Sequence, residues 1–225
     1  MTSSSSSSDD LAHATSESRR SSFEYPTASI KASVMRAVEK SLEYVNHFDV
    51  AMVVFELYKS RYIVTNIKLK TWFCFKKHVW EQTEIGPYRE LSSEVLQIFK
   101  RCLKKLKSST KKNITKISNC EKVISILLDT IQKERICHEC LYVFYDNSFF
   151  RDLDLNNNLI PFTNGIYDWT TKEFRDGVSA DMLSIYISEP FVEEKCYEQL
   201  IKNFVQFRIK LVTSRRQEYD FSYKR

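Results

Sequence analysis

Glycine is scarce in this chain: Gly86, Gly165 and Gly177 are the only three among 225 residues. A phosphate-binding loop needs several glycines at close spacing, because backbone N–H groups must approach phosphate oxygens. Neither G-x-x-x-x-G-K-[ST] nor G-x-G-x-x-G can be written from these three. The count argues against a nucleotide-driven motor in this chain by itself. Long apolar runs are also missing. The longest resemble Val50-Ala51-Met52-Val53-Val54-Phe55, far short of the roughly 20 residues that cross a bilayer. No apolar stretch marks the N-terminus as a secretory signal. The six cysteines follow no framework spacing, so they read as reduced thiols of an intracellular compartment, with no membrane as partner.

Catalytic patterns are thin as well. His13, His47, His78 and His138 do not cluster, and neither H-E-x-x-H nor a nucleophile elbow occurs. Cys137-His138-Glu139-Cys140 is a single C-x-x-C, whereas a structural zinc site draws four ligands, usually from two such pairs. Positions three apart also share one helix face, so Cys137 and Cys140 read first as core cysteines. Asp146, Asp152 and Asp154 could seed a metal–carboxylate site. The alternation of Asp152 and Asp154 with Leu153 and Leu155 fits a turn beside the core better. No catalytic, cofactor-binding or metal-binding residue is therefore assigned.

What the sequence does have is apolar content of 43%, with 15 Phe, 12 Tyr and 3 Trp, enough for one domain with a real core. Residues 1–29 form a Ser-rich segment expected to be disordered, 30–212 the domain, and 213–225 a polar tail. Apolar spacing predicts helices over about 30–45, 49–58 (with Asp49 as N-cap), 90–106, 120–135, 137–145 and 193–211. Strands are expected at Arg61–Thr65, Thr71–Phe75, His78–Glu81, Ile166–Trp169 and Glu173–Arg175, with a turn at Asn164-Gly165. The fold class is α+β: a mainly helical domain with small β-hairpins at its side.

The net charge of +5 is unevenly placed. Lys100, Arg101, Lys104, Lys105, Lys107, Lys111, Lys112 and Lys116 fall within residues 96–116, which contain no acid. A local basic stripe of this kind suits an anionic polymer; a solvated helix face, with cations favoured near the helix C-terminus, is the alternative. Trp72 to Trp80, with Lys76, Lys77 and His78 between them, mixes rings and cations. Such a segment can stack single-stranded bases, but packing in the core is the more usual use.

Two stretches carry a family resemblance. The first is His47-Phe48-Asp49-Val50-Ala51, then Leu57-Tyr58, Trp72-Phe73-Cys74-Phe75 and His78-Val79-Trp80. The second, more specific, runs Phe149-Phe150-Arg151-Asp152-Leu153-Asp154-Leu155-Asn156, then Leu159-Ile160-Pro161-Phe162-Thr163-Asn164-Gly165-Ile166-Tyr167-Asp168-Trp169 and Glu173-Phe174-Arg175-Asp176-Gly177. Together, over about residues 45–205, they resemble the domain preceding the superfamily 3 helicase in viral primase–helicases of the poxvirus and large-DNA-virus type. The resemblance implies viral genome replication, DNA and helicase or primase components as partners, self-association, and a replication site in host cytoplasm or nucleus. It carries over no catalytic residue, and ATP and Mg are implied only for the helicase domain. Because no P-loop segment follows here, the resemblance leads us to expect a divided or truncated gene product. The expected function is a replication module, with an interaction protein lacking DNA binding as the alternative.

Overall fold

The structure is a computed structural model that describes residues 28–110, 113–193 and 197–223. The Ser-rich segment, up to residue 27, lies outside the described residues. The fold is α+β: eight helices accompany two three-stranded antiparallel sheets among the described residues.

Helix α1 (Ala28–Ser41) turns Val34 and Val38 inward, Leu42 continues the four-residue spacing just past its end, and all three are buried. Helix α2 (His47–Tyr58) is the centre of the larger core. It packs against α1 and α6 and buries Val50, Ala51, Val53, Val54 and Tyr58, as expected of a helix apolar on most of its faces. Its N-cap is Asn46, not the expected Asp49. Asn46 Oδ1 accepts from the Asp49 N–H at 2.8 Å, and Asn46 Nδ2 donates to Asp49 Oδ2 at 2.6 Å. The first bond satisfies one helix-end N–H and the second ties the two side chains together, with the cap three residues earlier.

Strands β1 (Tyr62–Asn66), β2 (Thr71–Lys76) and β3 (Val79–Thr83) form the first meander, in the order β1-β2-β3. Lys76 pairs with Val79, so Lys77 and His78 make a two-residue turn, with Lys77 in the left-handed region at φ 56°. The next helical rod has three parts: α3 (Tyr88–Glu90), a π-helical stretch (Leu91–Val95) and α4 (Leu96–Ser108). Glu90 and Glu94 on this rod accept hydrogen bonds from the buried phenols of Tyr62 (2.7 Å) and Tyr58 (2.6 Å). Burial, reinforced by those carboxylates, pushes both phenols well above their ordinary range.

The pattern predicts a helix over 120–135 and a shorter one after it; the structure divides this region differently. Helix α5 (Ile114–Leu128) stops at Asp129, and α6 runs over Thr130–Val143. Asp129 serves both ends: its N–H donates to Ser125 O and Ile126 O, and its carboxylate accepts from the Gln132 N–H at 2.8 Å. Both helices bury one side in the same core, through Cys120, Val123 and Leu127 and then Ile136, Cys140 and Leu141. Apolar periodicity therefore reads through a break that the cap chemistry imposes.

After the short helix α7 (Phe149–Asp152) comes the second meander: β4 (Leu159–Phe162), β5 (Gly165–Asp168) and β6 (Glu173–Arg175). Gly165 is required by close approach, since a Cβ there would sit 2.5 Å from the Phe174 ring. The Asn164 amide clasps a distant segment, accepting from the Phe191 N–H at 2.8 Å and donating to Phe191 O at 3.1 Å. The Phe191 ring then stacks on Tyr167, Phe174 and Tyr197 at 5.0, 4.8 and 5.5 Å. The last helix, α8 (Glu198–Tyr223), begins and ends later than its apolar pattern predicts. Tyr197 and Ile201 pack on Ile160, Phe162 and Ile187 in a second core beneath this sheet.

The sheets are joined by polar bonds as well as packing. Trp80 N–H donates to Leu183 O at 2.7 Å, and Trp80 Nε1 to Ser179 O at 2.9 Å. The Gly177 N–H donates to His78 Nδ1 at 3.0 Å, and a Cβ on Gly177 would lie 2.8 Å from His78 Cβ. Helix α8 is held by two arginines. Arg208, with no exposed surface, donates to Leu159 O at 2.8 Å. Arg215 donates to Asp154 Oδ2 at 2.7 Å and to Ser184 Oγ at 3.0 Å. Asp154 is 1% exposed and also accepts from the Ser184 N–H (2.7 Å) and hydroxyl.

Two outcomes follow from these bonds. Removing one partner of a buried ion pair strands the other charge. Asp154→Asn or Arg215→Ala should therefore cost about 3 kcal/mol, the low end of the usual range, since Arg215 keeps 27% side-chain exposure. Asp152→Asn, at a side chain 49% exposed, should stay within about 0.5 kcal/mol. Urea unfolding of the three variants would measure the difference.

The second outcome concerns pH. Burial lowers the His78 pKa below its ordinary 6.5, more than Asp176 raises it. The unfolded imidazole thus binds its proton at higher pH than the folded one. The stability His78 contributes is complete above about 6.5 and is lost as pH falls through that value toward the folded pKa. The urea midpoint should fall more between about pH 7.5 and 5.5 for the parent than for His78→Gln, whose side chain does not titrate.

Candidate nucleic-acid interface

Helix α4 carries apolar residues on one side and cations on the other. Leu96 and Phe99 are buried, and Cys102, Leu103 and Leu106 pack half-buried against the main core. Lys100, Arg101, Lys104, Lys105 and Lys107 are all exposed. At about 100° per residue these five cations cover roughly 160° of arc, opposite the apolar stripe. The helix has no acid. Lys116 lies half-buried in the first turn of α5, whose N-cap is Asn113 and which packs against α4. The structure thus gathers six of the eight basic residues on one helical hairpin; Lys111 and Lys112 lie outside the described residues.

One of these cations is already engaged. Lys107 Nζ meets Glu121 Oε1 at 2.7 Å, with both side chains about half exposed (54% and 50%). A pair this exposed is worth little and yields readily to a competing anion. Lys105 and Lys107 sit in the last turn, where they complement the helix dipole. That effect fades within one turn, so it does not account for Lys100, Arg101 or Lys104.

The other candidates take structural places. Trp72, Phe73 and Trp80 are buried at 4%, 7% and 2% exposure, so these three rings are core and closed to bases, while Phe75 packs half-buried against Trp80. Asp146 Oδ1 accepts from the N–H and hydroxyl of Ser148 in a turn. Asp152 sits beside Arg151 at 3.6 Å, whereas Asp154 is buried against Arg215. The three carboxylates are thus spent on separate local tasks. Cys140 is buried and Cys137 half-buried on α6, and burial pushes the Cys137 thiol up to about 12 and Cys140 well above its ordinary value. Among the described residues, no three or more His, Cys, Asp or Glu gather in a metal-holding group. His47 Nε2 bonds Gln132 Oε1 at 2.7 Å, and the His138 ring meets Tyr142 edge-on. His13 lies outside the described residues.

Sequence reasoning missed the arginines of α8 and their buried acceptor. Arg208 falls within the predicted helix and Arg215 in the polar stretch after it, and a buried arginine leaves no mark in periodicity.

Comparison with known proteins places these elements in a family. The chain is 29% identical over 199 residues to a protein of Acanthamoeba polyphaga mimivirus named "Putative helicase L207/L206". The match covers 84% of this chain but only 20% of that protein, so this chain corresponds to about a fifth of its relative's length. The family model described as "D5 N terminal like" matches residues 51–207. That span runs from within α2, through both sheets and the basic hairpin, to the residue before Arg208, and on it the chain belongs to the D5 N-terminal-like family.

Proposed function

We propose that this chain is a non-catalytic DNA-replication module of the kind that precedes a helicase, and that it holds DNA through the basic face of α4 and the start of α5. The observation that carries the reading is the acid-free arc of five exposed cations on α4. Family membership and a relative named as a helicase support the replication context. Phosphates of a DNA backbone exchange condensed counterions for such cations, which gives affinity without sequence preference. The exposed aromatics lie elsewhere, and α4 presents no ring beside its lysines. The hairpin therefore suits backbone contact rather than base stacking.

Nucleotide chemistry belongs, in this reading, to a helicase region with its own phosphate loop. The scarcity of glycine in this chain supports placing ATP and Mg there. Helicase or primase components, or a second copy, are the protein partners proposed. The exposed Leu200, Phe207 and Ile209 of α8 are the apolar side chains nearest the family's boundary. No helix is long and apolar enough to cross a membrane among the described residues.

Neutralising Lys100, Lys104 and Lys105 to Gln should weaken duplex binding by tenfold or more at about 0.1 M salt. The plot of log K against log salt should flatten by about 0.9 for each phosphate that is no longer neutralised. Lys107→Gln should matter less, because Lys107 must first leave Glu121. Fluorescence anisotropy over a salt series would measure both. Unchanged affinity in the triple variant would remove the interface and favour an interaction protein without DNA binding.

A further inference from the structure

The apolar joint of the same hairpin holds two cysteines. Cys102 on α4 is half-buried, and Cys120 on α5 is fully buried. Cys120 Sγ lies 3.4 Å from the carbonyl of Phe99, one helical turn before Cys102 on the same α4 face. Both cysteines belong to the main core cluster where α4 and α5 pack, and the Cys120 Sγ, seated on the α4 backbone at Phe99, faces the turn that carries Cys102. One thiol reaches the surface and the other waits behind it. That is the arrangement of an attacking and a resolving cysteine, and it differs from the other described thiols. Cys137 and Cys140 lie on a single helix, and Cys74 is buried in β2.

We infer that Cys102 and Cys120 are a redox-active dithiol, a modification site for peroxide-class oxidants that closes to a disulfide across the α4–α5 hairpin. In the first step the Cys102 thiolate attacks one oxygen of hydrogen peroxide. The O–O bond breaks, Cys102 becomes a sulfenic acid and hydroxide leaves. In the second step the Cys120 sulfur attacks the Cys102 sulfur, the S–O bond breaks, and water departs with the Cys120 proton. Sulfur is oxidised by two electrons in total and one peroxide is reduced.

The surroundings favour this order. The neighbouring Cys120 thiol, then Lys105 and Lys116, hold the Cys102 thiol below its ordinary value, against burial and the nearby Glu39. The neighbouring Cys102 thiol, burial and Glu121 push Cys120 well above its ordinary value, so it stays a thiol until the sulfenic acid forms. The inference does not rest on DNA binding, although the bond would tie together the two helices that carry the basic residues.

The test uses the full chain, dilute and reduced, treated with equimolar hydrogen peroxide. It is then alkylated in denaturant and mapped by mass spectrometry without reduction. Most molecules should yield a Cys102–Cys120 peptide pair lighter by two hydrogens. Cys120→Ser should instead accumulate a Cys102 sulfenic acid that dimedone traps. In the untreated protein, iodoacetamide should modify Cys102 with a half-maximal rate at a pH below the ordinary thiol value of 9. If both thiols remain alkylatable after peroxide, the inference fails. It fails equally if Cys102 goes on to the sulfinic acid while Cys120 stays reduced, or if Cys102 links only between chains.

Discussion

A carboxylate withdrawn from water must be surrounded by donors, or it will not stay charged. Asp154 is surrounded on every side the structure shows. It accepts from the Ser184 backbone and hydroxyl and from Arg215, while its own N–H donates to Met182 O at 2.7 Å. Asp154 and Met182 both occupy the left-handed region, at φ 62° and 50°. Two strained residues and one buried charge thus meet at one place. The strain is held because the ion pair fixes three separate segments: the turn after α7, the stretch after the 3-10 turn Ser179–Asp181, and α8. The second core and the docking of the last helix both depend on this clasp.

The order of elements was legible in the sequence wherever burial had a period. Val34, Val38 and Leu42 announced α1, and the aromatic alternation from Trp72 to Trp80 announced a hairpin whose rings are core. The boundaries were less legible, because polar side chains set them. Asn46 took the cap expected of Asp49, and Asp129 divided a helix whose apolar pattern continued across it. The basic residues of the candidate interface could be picked out by charge alone. Their arrangement as an arc of roughly 160° depended on knowing that α4 reaches Ser108. What stayed hidden was whatever joins distant segments through single polar atoms: Arg215 to Asp154, Asn164 to Phe191, His78 to Gly177. Such bonds have no local signature, since each partner alone resembles an ordinary loop residue.

The family's most specific stretch can now be given physical reasons. Asn164 and Gly165 are together a clasp and a clearance: one holds the Phe191 backbone, the other makes room for the Phe174 ring. Asp168 accepts from the Thr170 N–H and closes the β5–β6 turn, and Arg175 forms a two-point pair with Asp181 at 2.9 and 2.7 Å. These residues build the platform on which α8 lies. A shared motif here reports a shared scaffold, distinct from the helical hairpin proposed to hold DNA.

The sheet edges show how this protein can meet others. Along β1, Val64 exchanges both backbone bonds with the chain leaving α6, through Phe144 O and the Asp146 N–H. The β3 edge is engaged at Trp80 by Leu183, and the β4 edge by Ile187 and Glu189, whose bonds run to Pro161 and Thr163. The remaining outer strand, β6, is three residues long. A partner strand would find little exposed backbone to template on. Recognition by this fold is therefore left to side chains on helices, where substitution can retune it one residue at a time without disturbing the ladders beneath.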